Sequence, residues 1–143
     1  MFKFFKKQNP TEKATGNSEL LSKTASLLIH AAKIDENYTD KEKEIIKQSL
    51  IELGAPQLKI DEIILTAESN EQKSNHILDF TKEIKNTDNN FKIKIIESLW
   101  KIIYSNNKAD MYETNLMSRL SGLLYLDNKI AGDIKEKMRK KFS

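Results

Sequence analysis

Apolar residues recur along most of this chain at intervals of three and four, the spacing that places side chains on one face of an α-helix. The first clear stripe consists of Leu21, Ala25, Leu28, Ile29 and Ala32. No segment alternates apolar and polar residues over a useful length, as a half-buried β-strand would. The pattern predicts an all-α protein.

Capping and turn residues divide this pattern into about seven helices. Helix 1 is expected to begin near Ser18, a good N-cap residue, and to end at about Lys33. Thr39 and Glu42 have the spacing of a capping box that opens helix 2, and Gly54 ends that helix. For the later helices we expect helix 3 around residues 60–66, helix 4 with Ile77, Leu78, Phe80, Thr81 and Ile84 pointing inward, helix 5 capped by Asp88 or Asn89, helix 6 opened by Asp110, and helix 7 over about residues 128–141.

The chain contains an internal repeat with an offset of 71 residues. Leu28 and Ile29 align with Leu99 and Trp100, and Glu42 aligns with Glu113 without a gap. Each copy consists of a helix, a polar turn and a second helix with an acidic residue in its first turn. Such a repeat indicates internal pseudo-symmetry. We therefore predict a single compact helical domain in which Ile29 and Trp100 occupy equivalent buried positions.

The composition narrows the range of chemistry. Hydrophobic residues make up 38% of the 143 residues, charged residues 31%, and there is no cysteine. This excludes disulfides, thiolate metal sites and cysteine nucleophiles. No stretch reaches the roughly 20 apolar residues that a membrane-spanning helix requires. A cytoplasmic protein is the expectation, since the first residues also lack a secretory signal.

The net charge of +3 is unevenly distributed. Residues 1–13 carry a net charge of +3 and residues 135–143 one of +4, which leaves −4 for the body of the chain. Residues 8–18 are polar and resemble a linker. We therefore predict two parts, a basic, flexible N-terminal arm over residues 1–17 and a helical domain over residues 18–143.

The first polar turn of the repeat carries a recognisable pattern. Ala32, Asp35, Tyr38 and Glu42 resemble the turn Ala-x-x-Asp-Gly-x-(apolar)-x-x-x-Glu of the TerB-like family. That family is named for a tellurite-resistance protein and is shared with the N-terminal region of a membrane-anchored DnaJ-type co-chaperone. Its domains carry this turn twice. The resemblance covers about residues 18–140 and implies a non-enzymatic helical interaction module in stress or tellurite resistance.

The second turn resembles the family's second copy through Tyr104, Tyr112 and Glu113. Two departures change the expected chemistry. Glu36 stands at the usual glycine position of the first turn, and Asn106-Asn107 replaces the second Asp-Gly. Losing that aspartate removes one negative charge from any paired acidic site.

The resemblance also implies an acidic surface, formed by Asp35, Glu42 and Glu113, that binds calcium or magnesium. The competing interpretation is that these carboxylates cap helices and serve turns, and we prefer it because hard cations favour several oxygen ligands from one loop. An EF-hand is excluded, since Asp40 replaces its glycine and Ile46 its final glutamate. We expect no catalytic residues and no bound cofactor, because no nucleophile has a plausible base and no phosphate-binding loop is present.

The N-terminal arm has a separate candidate role. Its basic and aromatic residues suit weak contact with an anionic membrane surface: Phe2, Lys3, Phe4, Phe5, Lys6 and Lys7. The alternative is a solubilising tail. Nucleic acid is disfavoured as a partner, because the acidic body of the chain would repel phosphates. The predicted partners are therefore an unidentified protein and, peripherally, the inner face of the membrane.

Overall fold

The computed structural model describes the backbone of residues 5–33, 38–74, 76–105 and 111–142. Side chains are described for residues 19–33, 38–74, 76–105 and 115–142. The helices are α1 (Phe5–Ala32), α2 (Asp40–Glu52), α3 (Ile60–Lys73), α4 (Leu78–Ile84), α5 (Asn89–Tyr104), α6 (Met111–Leu123) and α7 (Asn128–Phe142). A short 3-10 turn at Gln57–Lys59 precedes α3. Within these ranges no strand occurs, and the predicted all-α class is confirmed.

Two helices, α1 and α5, form the centre of the fold. Helix α1 packs against α2, α3, α4 and α5, while α5 also contacts α2, α6 and α7. Residues 24–29 of α1 are all buried, including Thr24 and Ser26. Their hydroxyls are satisfied, since Thr24 Oγ1 donates to the Leu20 carbonyl at 2.8 Å and Ser26 Oγ to that of Ala67 at 3.0 Å. A helix buried on all sides is typical of a core element.

The internal repeat is present in the packing of the core. Ile29 and Trp100 are 0% and 2% exposed, and Leu28 and Leu99 are both fully buried, as predicted. The repeat extends to a third helix, because α3 packs on α1 as α7 packs on α5. Each copy is therefore a three-helix unit, α1–α3 or α5–α7, and α4 lies between the copies in sequence. The predicted units of two helices were too short.

The two copies also end their second helices with the same hydrogen bonds. After α2, the N–H groups of Gly54 and Ala55 donate to the carbonyls of Ile51 and Leu50 at 3.0 and 2.9 Å. After α6, residues 125 and 126 make the corresponding bonds to residues 122 and 121 at 3.0 and 2.9 Å. Both arrangements are Schellman motifs, in which the residue after the C-cap adopts a left-handed conformation. The backbone thus repeats at the offset of 71 residues.

Several predicted helix boundaries differ from the structure. Helix α1 begins at Phe5, earlier than Ser18, because extending an existing helix adds one hydrogen bond for each residue ordered, even in a polar segment. Helix α3 continues to Lys73, beyond the predicted end at about residue 66. The polar residues after Ala67 lack the apolar spacing on which the prediction relied. Leu78 was expected to point inward but is 55% exposed at the start of the short helix α4. The division into an arm and a domain remains a prediction.

None of the described helices is both long and apolar enough to cross a membrane.

Candidate functional site

The first predicted site residue with a described side chain is Glu42, and it caps α2. The Glu42 N–H donates to Thr39 Oγ1 at 3.1 Å, and Glu42 Oε1 accepts from the Thr39 N–H at 2.9 Å. This is the predicted capping box. Glu42 is also fully buried. Glu42 Oε1 is therefore bound at the start of the helix.

Tyr38 lies directly before this cap and joins it to α3. Its hydroxyl donates to Glu68 Oε2 at 3.0 Å, and the same oxygen lies 3.2 Å from Lys43 Nζ. Burial raises the pKa of Tyr38, and the hydrogen bond to Glu68 and the negative charges of Glu68, Glu42 and Glu71 raise it further. The phenol is thus held in its protonated form as a hydrogen-bond donor.

Glu71, one helical turn after Glu68, connects α3 to the end of α1. Its carboxylate lies 2.8 Å from Lys33 Nζ and 3.3 Å from His30 Nδ1. The Glu71 side chain is only 11% exposed, so this ion pair is partly desolvated. These seven residues form what we call the Tyr38 cluster: His30, Lys33, Tyr38, Glu42, Lys43, Glu68 and Glu71.

Sequence reasoning singled out Tyr38 and Glu42 but missed the rest of the cluster. Glu68 and Glu71 pair with residues 25 to 41 positions away, and such tertiary pairs leave no local signal. The sequence feature that could have indicated them is the spacing of three residues between Glu68 and Glu71, which places both carboxylates on one face of α3.

The other predicted metal ligands, Asp35 and Glu113, lie outside the residues whose side chains the structure describes. Among the described side chains, no group of three histidine or acidic residues is arranged to hold a metal ion. Phe2, Lys3 and Phe4 also lie outside the described part of the chain. Phe5, Lys6 and Lys7 belong to the backbone of α1, but their side chains are likewise outside it.

The second copy of the repeat has aromatic contacts where the first has the Tyr38 cluster. Lys33 and Glu71 correspond to Tyr104 and Phe142. These two rings stack with centroids 5.5 Å apart, and Tyr104 also stacks on Trp100 at 5.7 Å. The junction between the first and third helices is therefore charged in one copy and aromatic in the other.

A second surface feature lies between α4 and α6. It is a groove of about 330 Å³ lined by Leu78, Thr81, Lys82, Lys85, Gly122, Leu123 and Tyr125. Tyr125 is 67% exposed and has a φ of 60°. Lys85 Nζ lies 5.4 Å from the centroid of its ring. Exposed apolar and basic groups therefore occur together along this groove, which we call the α4–α6 groove.

Tyr125 occupies the position at which the first copy has Gly54, with a φ of 110°. Left-handed backbone is unfavourable for a residue with a Cβ, and non-glycine residues that hold it cluster at functional sites. Sequence reasoning missed Tyr125, because tyrosine is not a residue that signals such a helix end.

The chain matches the model of a known family. The model of the family described as Tellurite resistance protein TerB matches residues 21–136, which is most of the chain. Comparisons with curated proteins and with solved structures gave no match.

Proposed function

The chain belongs to the TerB family, and we propose that it acts as a non-enzymatic interaction module in tellurite or related stress resistance. In this proposal it works in the cytoplasm near the inner face of the membrane and binds a protein partner through the α4–α6 groove. Family membership supports a helical module of this kind. The groove supplies a surface on which a partner can dock.

The observation that carries this proposal is the conformation of Tyr125. Its ring is exposed beside Leu78, at a backbone position where the first copy of the repeat has glycine. The fold thus holds an aromatic side chain at a strained helix end without burying it in the core. Aromatic residues are enriched at protein interfaces, where their rings contribute contact area with few rotatable bonds.

The charges along the groove indicate the chemistry of the partner. Lys82 and Lys85 line it, and neither forms an ion pair with a described residue. An acidic, amphipathic helix would satisfy both lysines and cover the apolar side chains. Helices of this kind commonly bind in apolar grooves through residues spaced by three and four. We therefore propose such a helix of another protein as the occupant.

The absence of catalysis is supported by the contacts of the polar residues. In the Tyr38 cluster, Glu68 and Glu71 are paired with lysines. Ser74, His76 and Asp79 come together between α3 and α4, but the Ser74 hydroxyl bonds the backbone of His76 and the Asp79 carboxylate. The imidazole takes no part in these bonds, so they stabilise a turn and do not activate a nucleophile.

The experiment is a growth test on tellurite in a strain that lacks the gene and carries it on a plasmid. The double variant Leu78→Ser and Tyr125→Ser should fail to restore resistance while it remains folded by circular dichroism. Leu65→Ser is the matched control, because Leu65 is 66% exposed on α3, away from the groove. Full protection by the double variant would contradict the role of the groove, and no effect of deleting the gene would contradict the role in resistance.

The second candidate is a module that binds calcium or magnesium through Asp35, Glu42 and Glu113. The observation in its favour is that three carboxylates, of Glu42, Glu68 and Glu71, act on Tyr38 beside the first turn, whereas two lysines of the described part of the chain, Lys33 and Lys43, are paired with them. The negative potential of the carboxylates would attract a cation to that turn.

Thermal unfolding at increasing calcium and magnesium tests this candidate. A site would stabilise the fold by mass action once the ion concentration exceeds the dissociation constant. The rise in melting temperature should be lost in Asp35→Asn and kept in Asp133→Asn, an exposed residue of α7. If neither ion changes the melting temperature, the cation-binding candidate is contradicted and the interaction module remains as the proposed function.

A further inference from the structure

The second copy of the repeat contains a cleft between α6 and α7. Its volume is about 260 Å³, and Trp100 and Met117, both 2% exposed, contribute apolar surface to it. Two small residues, Ala131 and Gly132, and four polar residues complete its lining: Ser118, Ser121, Asn128 and Lys135. Half of the eight lining residues are therefore polar, and such a cleft suits a ligand that has both an apolar and a polar part.

Comparison with the first copy explains why this space is open. Ser121 and Ala131 stand where the first copy has Leu50 and Ile60, both buried. Smaller side chains at equivalent places therefore leave room in the second copy. Burial of Leu50 and Ile60 stabilises the first copy by removing apolar surface from water. The smaller residues of the second copy do not provide this stabilisation.

The rim of the cleft is also more open than the equivalent place in the first copy. In the first copy, Lys47 Nζ and Asp61 Oδ1 form an ion pair at 3.1 Å between α2 and α3, the helices equivalent to α6 and α7. Their counterparts, Ser118 and Gly132, cannot form one. A Cβ placed on Gly132 would meet no atom within 4 Å.

One buried polar group in the cleft has no partner. Ser121 is 6% exposed, and its hydroxyl forms no hydrogen bond with any residue that the structure describes. The buried hydroxyl of Ser98, by contrast, donates to the Lys94 carbonyl at 2.8 Å. Ser49 and Thr81, like Ser121, are buried without a hydrogen bond to a described residue, so this hydroxyl does not by itself indicate a ligand. Because Ser121 lines the cleft together with Lys135, its hydroxyl can form a hydrogen bond with a molecule bound there.

The charge of the cleft is also uncompensated. Lys135 forms no ion pair with the described part of the chain, whereas Lys137 and Arg139 of the same helix pair with Glu97 and Glu136. Lys135 is the ionisable residue in the lining, which makes the cleft singly positive. A single cation balances a monovalent carboxylate, whereas a phosphate monoester carries a charge closer to −2.

We propose that the α6–α7 cleft binds a small organic carboxylate. Its apolar part lies against Trp100 and Met117. Its carboxylate accepts hydrogen bonds from the Lys135 ammonium and from the hydroxyls of Ser118 and Ser121. This site is separate from the α4–α6 groove and involves no reaction.

Trp100, the single tryptophan of the chain, reports on this site. We would titrate the full chain with hexanoate, which does not absorb where tryptophan is excited, and follow Trp100 emission. A saturable change at millimolar hexanoate is expected, with hexan-1-ol and sodium chloride as controls for the apolar part and the ionic strength. No saturable change, or equal affinity for hexanoate and hexan-1-ol, would overturn the proposal.

Two variants test the location. Gly132→Leu should fill the cleft and abolish the response, while Gly122→Leu on the α4–α6 groove should keep it. Lys135→Gln should weaken hexanoate binding about fivefold to tenfold and leave hexan-1-ol unaffected, because a charge-assisted hydrogen bond is lost. Lys135 is exposed, so this variant keeps the test decisive even if Gly132→Leu does not fold. A wild-type response in both variants would place binding elsewhere and refute the site.

Discussion

At the scale of single residues, Tyr125 shows how a local conformation and a surface role can conflict. A tyrosine with a φ of 60° ends α6 where Gly54, with a φ of 110°, ends α2. Glycine adopts either sign of φ readily, whereas a side chain makes left-handed backbone costly by about 1–2 kcal/mol. The repeat therefore provides an internal reference for this strain.

Tyr125→Gly should raise the free energy of unfolding by about 1 kcal/mol, because it removes this strain at a position where the ring is mostly exposed. Urea denaturation followed by circular dichroism measures the change. Gly54→Ala is the opposite experiment and should lower stability by a similar amount. A destabilised Tyr125→Gly variant would mean that the contacts of the ring stabilise the fold by more than the backbone strain destabilises it.

Tyr38 gives a prediction about pH. Its pKa is raised in the folded state by burial and by Glu68. Above the usual tyrosine pKa of about 10, the unfolded chain ionises while the folded chain keeps the proton. This residue's contribution to stability is therefore present below about pH 10 and is lost as the pH rises further.

Tyr38→Phe should therefore flatten the fall in stability between about pH 9 and pH 11, as measured by urea denaturation across that range. At pH 8 the variant should lose about 0.5–1 kcal/mol, the value of one partly exposed hydrogen bond. Tyr125→Phe should keep the wild-type pH profile, because its hydroxyl forms no hydrogen bond with a described residue. An identical profile in Tyr38→Phe would show that this phenol does not govern alkaline stability.

The residue scale also marks where sequence reasoning ends. Glu42 was predicted as a cap because its partner, Thr39, lies three positions away. Glu68 and Glu71 were not predicted, because their partners on α1 and before α2 come close only after the helices pack. Local hydrogen bonds can be deduced from spacing, whereas tertiary ion pairs require the fold.

At the scale of helices, the predicted starts of α2, α5 and α6 agree with the structure, whereas Ser18, also a good N-cap residue, lies inside α1. Helix α2 begins after Thr39 and α5 after Asp88, whose carboxylate accepts from the Phe91 N–H at 2.9 Å. No comparable residue marks the start of α1 at Phe5. Side-chain caps satisfy N–H groups that the helix itself leaves unpaired, so they give the clearest sequence signal of a helix end.

The central position of α5 leads to a prediction about Trp100. Trp100→Ala should lower the free energy of unfolding by about 3–5 kcal/mol, since it removes a buried indole and leaves a cavity. Chemical denaturation with far-ultraviolet circular dichroism measures this, because the variant has no tryptophan emission. Leu58→Ala is the control and should change little, as Leu58 is fully exposed. A loss below about 1 kcal/mol would contradict the central role of this side chain.

At the scale of the whole molecule, charge is segregated along the chain. The body carries a net charge of −4 between two basic ends. At the C-terminal end, Lys137 and Arg139 are paired with glutamates, which reduces the charge available to a partner. The basic N-terminal residues, whose side chains lie outside the described part of the chain, remain the predicted contact with an anionic surface.

Leu21 is the first buried apolar residue among the described side chains, which begin at residue 19, and the family match also begins there. Deleting residues 1–16 should therefore leave the domain folded and change its melting temperature little, because Ser18 can cap the shortened helix. Circular dichroism and thermal unfolding of the truncated chain measure this. A strongly destabilised truncation would show that the N-terminal part of α1 belongs to the folding unit, against the predicted division at residue 17.

The same truncation tests the membrane role proposed for Phe2 to Lys7. The full chain should sediment with vesicles of phosphatidylglycerol and phosphatidylcholine at low salt, whereas the truncated chain should stay in the supernatant. Each lysine near an anionic surface contributes about 1 kcal/mol, and at physiological ionic strength charges are screened beyond about 8 Å. Binding should therefore fall steeply as salt is added. Equal and negligible sedimentation of both chains at low salt would remove the membrane role, while salt-insensitive binding would point to apolar insertion of the phenylalanines.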